Sequence, residues 1–257
     1  METTGAARQV PVAIATDLTV GDLRSALMAG WRDFLARPLF GLFFGGIFTL
    51  TGMFLYVALF AWGQPSWLVP VTAGFPLLAP FTAVGLYEVS RRREAGLPVG
   101  WSPVLGALRG HGDEQLLTMG GLLFVGFSFW LMVAHGIFAI FMAESGVGAE
   151  SMALFGTQTG IAMLAVGGAA GGLMALAFYS LTVISLPMLV DRPIDFMTAM
   201  ITSLRVMKAN LPVMLAWAAL VAVTLSLALL PLFLGLLVAL PVLGHATWHL
   251  YRRAVAA

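Results

Sequence analysis

The chain has no cysteine. That absence removes disulfides, thiolate nucleophiles and Cys-ligated metals, and it leaves the redox compartment unread. Charge is scarce too. Asp, Glu, Lys and Arg make up 10% of the 257 residues, against about 25% in soluble domains. A net charge of +1 gives no electrostatic footprint for nucleic acid. Four histidines cannot supply the imidazole set of a haem–copper catalytic subunit. No Ser-His-Asp order, HExxH motif or paired carboxylates occur. The run Gly167-Gly168-Ala169-Ala170-Gly171-Gly172 has no lysine and follows no strand, so it is not a phosphate loop. The expectation is a protein that is not an enzyme and holds no cofactor.

What fills the chain is apolar surface: 60% hydrophobic residues and a mean hydropathy of +0.96. Several apolar runs reach the roughly 20 residues that span a bilayer. Six spans are expected, at about 39–62, 67–90, 116–142, 160–190, 211–230 and 232–251. No polar residue separates the last two. One continuous helix there would be roughly 60 Å long, twice the hydrocarbon thickness, so a tight turn near Pro231 is expected. Residues 1–17 read as a disordered tail. The polar first 38 residues, with Glu2, Asp17, Asp22 and Asp33, lack the basic-then-apolar plan of a cleaved signal peptide.

Between spans lie amphipathic stretches. Thr19 is a plausible N-cap with Asp22 in a capping-box position. Leu23, Leu27, Gly30, Trp31 and Phe34 then share a helical face, with Asp22, Arg24, Ser25, Arg32 and Asp33 elsewhere. Ser102-Pro103 reads as a cap followed by an N1 proline, before Val104, Leu105 and Leu108. After Asp191-Arg192-Pro193, Ile194, Met197, Ile201 and Leu204 share a face, with Met207 beside them. All three stretches read as interfacial helices lying on the membrane. Each carries an apolar-Arg pair near its end: Trp31-Arg32, Leu108-Arg109 and Leu204-Arg205. The plan of interfacial helix, span, turn, span thus recurs in units of about 18–93, 94–190 and 191–253. These form one membrane domain, 18–257, with an all-α fold and a weak threefold internal repeat.

Two stretches end alike, PFTAVGLYEVSRRR and PVLGHATWHLYRR. Tyr87 and Trp248 sit where belt aromatics meet headgroups. Arg91, Arg92, Arg93, Arg252 and Arg253 lie just beyond. With six spans, all thirteen Lys and Arg fall on one side. The positive-inside rule then puts both termini in the cytoplasm. Expected partners are the bilayer and its anionic headgroups, met by Trp31, Phe34 and the arginines, with no nucleic acid.

Single residues were weighed the same way. His245 and His249 share a helix face and could chelate a metal; plain polar residues at the inner interface are the simpler reading. His135 in the third span and Glu88 before Arg91 and Arg92 could carry protons. A neutral hydrogen-bonded histidine and an i, i+3 or i, i+4 ion pair are the simpler readings. Gly41 and Gly45 in the first span, and Gly168 and Gly172 in the fourth, offer small faces for close helix packing.

The stretches WRDFLARPLFGLFFG, FPLLAPFTAVGLYEVSRRRE and DRPIDFMTAMITSLRVMKANLP carry a resemblance. The 18–253 plan is similar to a bacterial family of predicted integral membrane proteins of unknown function, some of whose members carry a cytochrome c oxidase subunit label. The resemblance implies at most an accessory role, and it supplies no catalytic residue. Two functions of different class follow. One is an accessory or assembly protein of a larger membrane complex, with a respiratory complex implied by the label. The other is a transporter or channel for a small apolar or lipid-like molecule. Its support is the second span, broken by Pro70, Pro76 and Pro80, within a repeated plan.

Overall fold

The computed structural model describes residues 12–63, 83–107, 114–145 and 156–255. Ten helices are found among them: α1 (Val20–Ala36), α2 (Pro38–Ala61), α3 (Val84–Glu94), α4 (Trp101–Gly106), α5 (Gln115–Ser145), α6 (Gln158–Thr182), α7 (Ser185–Asp191), α8 (Phe196–Ala209), α9 (Leu211–Leu229) and α10 (Leu236–Ala254). The only β pairing among the described residues is an isolated antiparallel bridge between Ile14 and Val255. Four stretches are long and apolar enough to cross a membrane: Pro38–Ala61, Gln115–Phe141, Gln158–Asp191 and Leu211–Leu229. Most of the expected second span, residues 64–82, lies outside the described residues. So do residues 1–11 of the expected tail, and Leu108 and Arg109. The sixth expected span is not among those four. Its helix starts at Leu236, and its second half carries His245, His249, Arg252 and Arg253.

Local chemistry sets the helix ends. Thr19 caps α1: its Oγ1 accepts from the Asp22 N–H, and the Asp22 carboxylate accepts from the Thr19 N–H. Arg37 ends α1, and Pro38 opens α2 at a position where a missing N–H does no harm. α8 passes to α9 in the same way, through Asn210, with Pro212 in the first turn. The second interfacial helix starts earlier than expected. Gly100 is its N-cap, so Ser102 caps nothing.

α1 and α2 run antiparallel to α10 along almost its whole length. The Ala15 N–H donates to the Ala254 carbonyl. Gly30 lies against Val242 and Ala246, Gly41 against Pro241, and Gly45 against Leu236 and Leu237. At Gly30 and Gly45 the approach is to backbone, and at Gly41 to the Phe34 ring and the Pro241 side chain. A Cβ at Gly30 would come within 2.5 Å of the Ala246 nitrogen, and one at Gly45 within 2.9 Å of the Leu236 carbonyl oxygen. At the far end, Leu232 and Phe233 turn the chain in left-handed conformations, at φ 48° and 67°. The Thr49 hydroxyl on α2 donates to the Phe233 carbonyl, holding a turn that has no polar side chain of its own.

α6 and α7 are one apolar stretch broken at Val183. Pro187 explains the break, because its ring excludes the carbonyl four residues earlier and it has no N–H to offer. Ser203 of α8 covers the damage. Its hydroxyl donates to the Ser180 carbonyl at 2.7 Å and accepts from the Ile184 N–H at 3.3 Å.

The amphipathic helices divide their apolar residues between a buried and an exposed face. On α1, Leu23, Ala26, Gly30, Asp33 and Phe34 are buried while Trp31 is exposed. Phe34, expected at the acyl boundary, packs instead over Gly41. On α8, the buried face is Ala199, Thr202, Ser203, Val206 and Met207, and the apolar stripe Met197, Ile201 and Leu204 points outward. Small residues permit close helix approach, and lipid satisfies large apolar ones.

Candidate functional site

The residues that could do chemistry gather where α1, α3, α7 and α10 meet. α3 ends on Arg91, Arg92 and Arg93, cations placed favourably at a helix C-terminus. Glu88, one turn earlier and buried, accepts from Arg91 Nε and Nη2 at 2.7 and 2.8 Å and from Arg92 Nε at 2.6 Å. Both i, i+3 and i, i+4 pairs therefore form, and Glu88 is fully engaged.

Asp33 stands at the centre. Gly30 lets α1 lie against α10, which carries Asp33, one turn later on the same face, into the interior. The carboxylate pairs with Arg93 of α3. It accepts from the Ser90 hydroxyl at 2.6 Å and faces His249 Nε2 at 2.9 Å. Ser90 Oγ is also 2.8 Å from His245 Nδ1. The single hydroxyl proton is spent on Asp33, so the imidazole must donate, and the neutral ring carries its proton on Nδ1. Its Nε2 is then a bare acceptor. It is buried without a hydrogen-bond partner among the described residues. Burial pushes the Asp33 carboxyl up. The hydrogen bonds from His249 and Ser90, with attraction to the histidines, outweigh it and hold the group below the usual carboxylate range.

A second knot lies beside the first. The Trp248 indole N–H donates to Glu94 at 2.9 Å. Arg252 reaches Glu94 at 3.0 Å and Asp191 at 3.2 Å, and the Tyr251 hydroxyl donates to Asp191 at 2.7 Å. Arg253 pairs with Asp22 and Asp17. Asn210 ties in the N-terminal segment: it accepts from the Leu18 N–H and donates to the Ala15 carbonyl.

The sequence-read residues divide accordingly. His245 and His249, offered as a metal pair, both serve Asp33, one directly and one through Ser90. Among the described residues no group of three or more His, Cys, Asp or Glu is placed to hold a metal. Tyr87 and Trp248, read as belt aromatics, have buried side chains. They are 3% and 1% exposed and belong to the core. His135 is exposed on α5. Among the described residues nothing lies within 4 Å of a Cβ built on Gly168 or Gly172. Their neighbour Gly171 makes the close contact, with the Trp130 ring at 2.7 Å. Among the described residues the close contact of α6 thus falls one residue from Gly172. Asp33, Ser90, Ser203 and Asn210 were missed. The available signal for Asp33 was its spacing from Ala26 and Gly30, the smallest face of α1.

The arrangement joins helix ends through balanced charge. No curated protein and no solved structure matches the chain. With four apolar helices of spanning length, this is an integral membrane protein, and residues 68–191 are similar to a family described as predicted integral membrane protein (DUF2189).

Proposed function

We propose that the chain is a non-enzymatic accessory or assembly protein of a larger complex in the bacterial inner membrane, a respiratory complex being the class its sequence resemblance implies. Six spans, cytoplasmic termini and a threefold repeat belong to this reading. The observation that carries it is the closed polar layer. Asp33, Glu88, Glu94 and Asp191 all spend their charge on partners within the chain. The long α5 and α6 meanwhile turn large apolar side chains outward, among them Phe124, Phe129, Met132 and Leu173. A chain with satisfied charges and broad apolar flanks suits a neighbour in the bilayer better than a polar substrate.

Packing order supports the repeat. Each interfacial helix rests on the last membrane helix of the preceding unit: α4 on α3, α8 on α6 and α7, and α1 on α10. The last pairing closes the series into a ring. Small residues occupy matching places, Gly30 against Val242 and Ala246 and Ser203 against Ser180 and Ile184.

A photo-crosslinking residue at Phe129 or Leu173 tests the accessory reading. In native membranes it should give a discrete adduct with one membrane protein. Lipid adducts alone would reject that reading. The break at Val183 favours the transport alternative, since broken helices frame substrate sites in repeat transporters; solute flux into proteoliposomes would favour it. For topology, a periplasm-active reporter should work after Gln64 and fail after Arg93.

A further inference from the structure

We propose that the three interfacial helices form one binding surface for anionic phospholipid of the leaflet in which the protein sits. Each has two apolar faces, and the inner one is already occupied by the bundle. The outer ones correspond. Counting back three residues from the pairs Trp31-Arg32, Leu108-Arg109 and Leu204-Arg205 reaches Met28, Leu105 and Ile201, and all three are exposed. Trp31 and Leu204, the matching members of their pairs, are exposed as well. Three helices on three units repeat one outward pattern, which chance periodicity does not require.

Position and charge name the occupant. α1 and α8 pass into the apolar helices α2 and α9 through a single residue each. Their outer faces therefore emerge at the level where those helices enter the membrane. The exposed charged residues of α1 and α8 are Arg24, Arg32, Arg205 and Lys208, with Arg37 at the end of α1. The two carboxylates of α1 are turned away, Asp33 buried and Asp22 paired with Arg253. α8 contains no acid. Among the described residues no carboxylate pairs with Arg24, Arg32, Arg37 or Lys208, in contrast to the paired arginines of α3 and α10. Large apolar side chains beside unpaired cations suit an acyl boundary under anionic headgroups.

The natural absence of cysteine makes the test clean. Single replacements Met28→Cys, Leu105→Cys and Ile201→Cys in the full chain, spin-labelled and reconstituted into phosphatidylglycerol-containing nanodiscs, should report one common depth near the acyl boundary. Delipidated protein titrated with phosphatidylglycerol in detergent should gain thermal stability, and phosphatidylcholine should not reproduce the gain. Arg24→Gln, Arg32→Gln and Lys208→Gln, all at exposed positions, should each raise the half-saturating lipid concentration about fivefold. Water-exposed labels would overturn the proposal. So would spin–spin coupling showing that a second copy covers the face, or an equal response to phosphatidylcholine. Failure here leaves the accessory reading standing, because the crosslinking test probes α5 and α6 instead.

Discussion

α1 on α10 and α8 on α6–α7 are versions of one joint: an amphipathic helix laid by a small residue onto a neighbouring backbone. They are held differently. At the first, Gly30 lets the backbones touch, and the grip comes from Asp33 one turn later, through Arg93, Ser90 and His249. At the second, Ser203 is both the small residue and the grip, spending its hydroxyl on the backbone that Pro187 disrupted. α10 runs on as one helix past Pro241, and its joint is gripped by side-chain charge. Where α6 gives way to α7 the backbone offers a carbonyl and an N–H, and a single hydroxyl serves.

Gly30→Val should do the most damage. Its side chain would meet the Ala246 nitrogen and Val242 carbonyl, backbone atoms that cannot step aside. A loss above about 4 kcal/mol, seen as little or no monodisperse protein in mild detergent, is expected. Normal yield and melting would show that the joint tolerates separation.

Asp33→Ala comes next, at about 3–5 kcal/mol, because it leaves Arg93 without its anion in a largely buried place. Asp33→Asn should lose less and reveals the charge term through pH. The native carboxyl is held below its usual range. Its stabilisation is therefore present above the unfolded value and is lost as pH falls through the folded one. The gap in melting temperature between wild type and Asp33→Asn should be full at pH 7 and close below about pH 4. A gap that is constant with pH would mean that shape matters and charge does not.

Ser203→Ala should cost about 1 kcal/mol in detergent melting. In a Pro187→Ala background, where the helix can bond to itself, the same change should cost clearly less. Equal costs would break the link drawn between the proline and the hydroxyl.

The smallest effect, at Gly168, is measured against its neighbour on α6. Gly171→Ala forces the Trp130 ring to move and should cost about 1–3 kcal/mol. Gly168→Ala, beside open space among the described residues, should stay within about 0.5 kcal/mol. Reversed costs would return the packing face to the GxxxG reading.

Most of the helix plan was legible from the chain alone. The apolar runs at 39–62, 116–142 and 211–230 agree with α2, α5 and α9 to within a few residues, because spanning length and proline punctuation are local properties. The capping box at Thr19 was legible for the same reason. Which way a helix faces was not. In water a large apolar residue marks the inside; beside lipid it does not, and of Trp31 and Phe34, read together on one face of α1, Phe34 is buried and Trp31 exposed. Tyr87 and Trp248 stand one turn before arginines, as belt aromatics do. Both side chains are buried, and the Trp248 indole donates to Glu94, distant in sequence. Ser203 and Asn210 serve backbone groups freed by breaks elsewhere in the chain, and no local pattern announces that need.

The closure of α1 onto α10 has a consequence in time. Asp33 and His249 are 216 residues apart. At roughly 5–20 residues per second, the ribosome needs on the order of 10 to 40 s to deliver the second after the first. Throughout that interval the inner face of α1 has no α10 to lie against, and Gly30 and Asp33 remain open to whatever the inserting machinery or the lipid surface provides. The first helix made is thus among the last to be seated, and a chain arrested before α10 would present its acid to the membrane instead of hiding it.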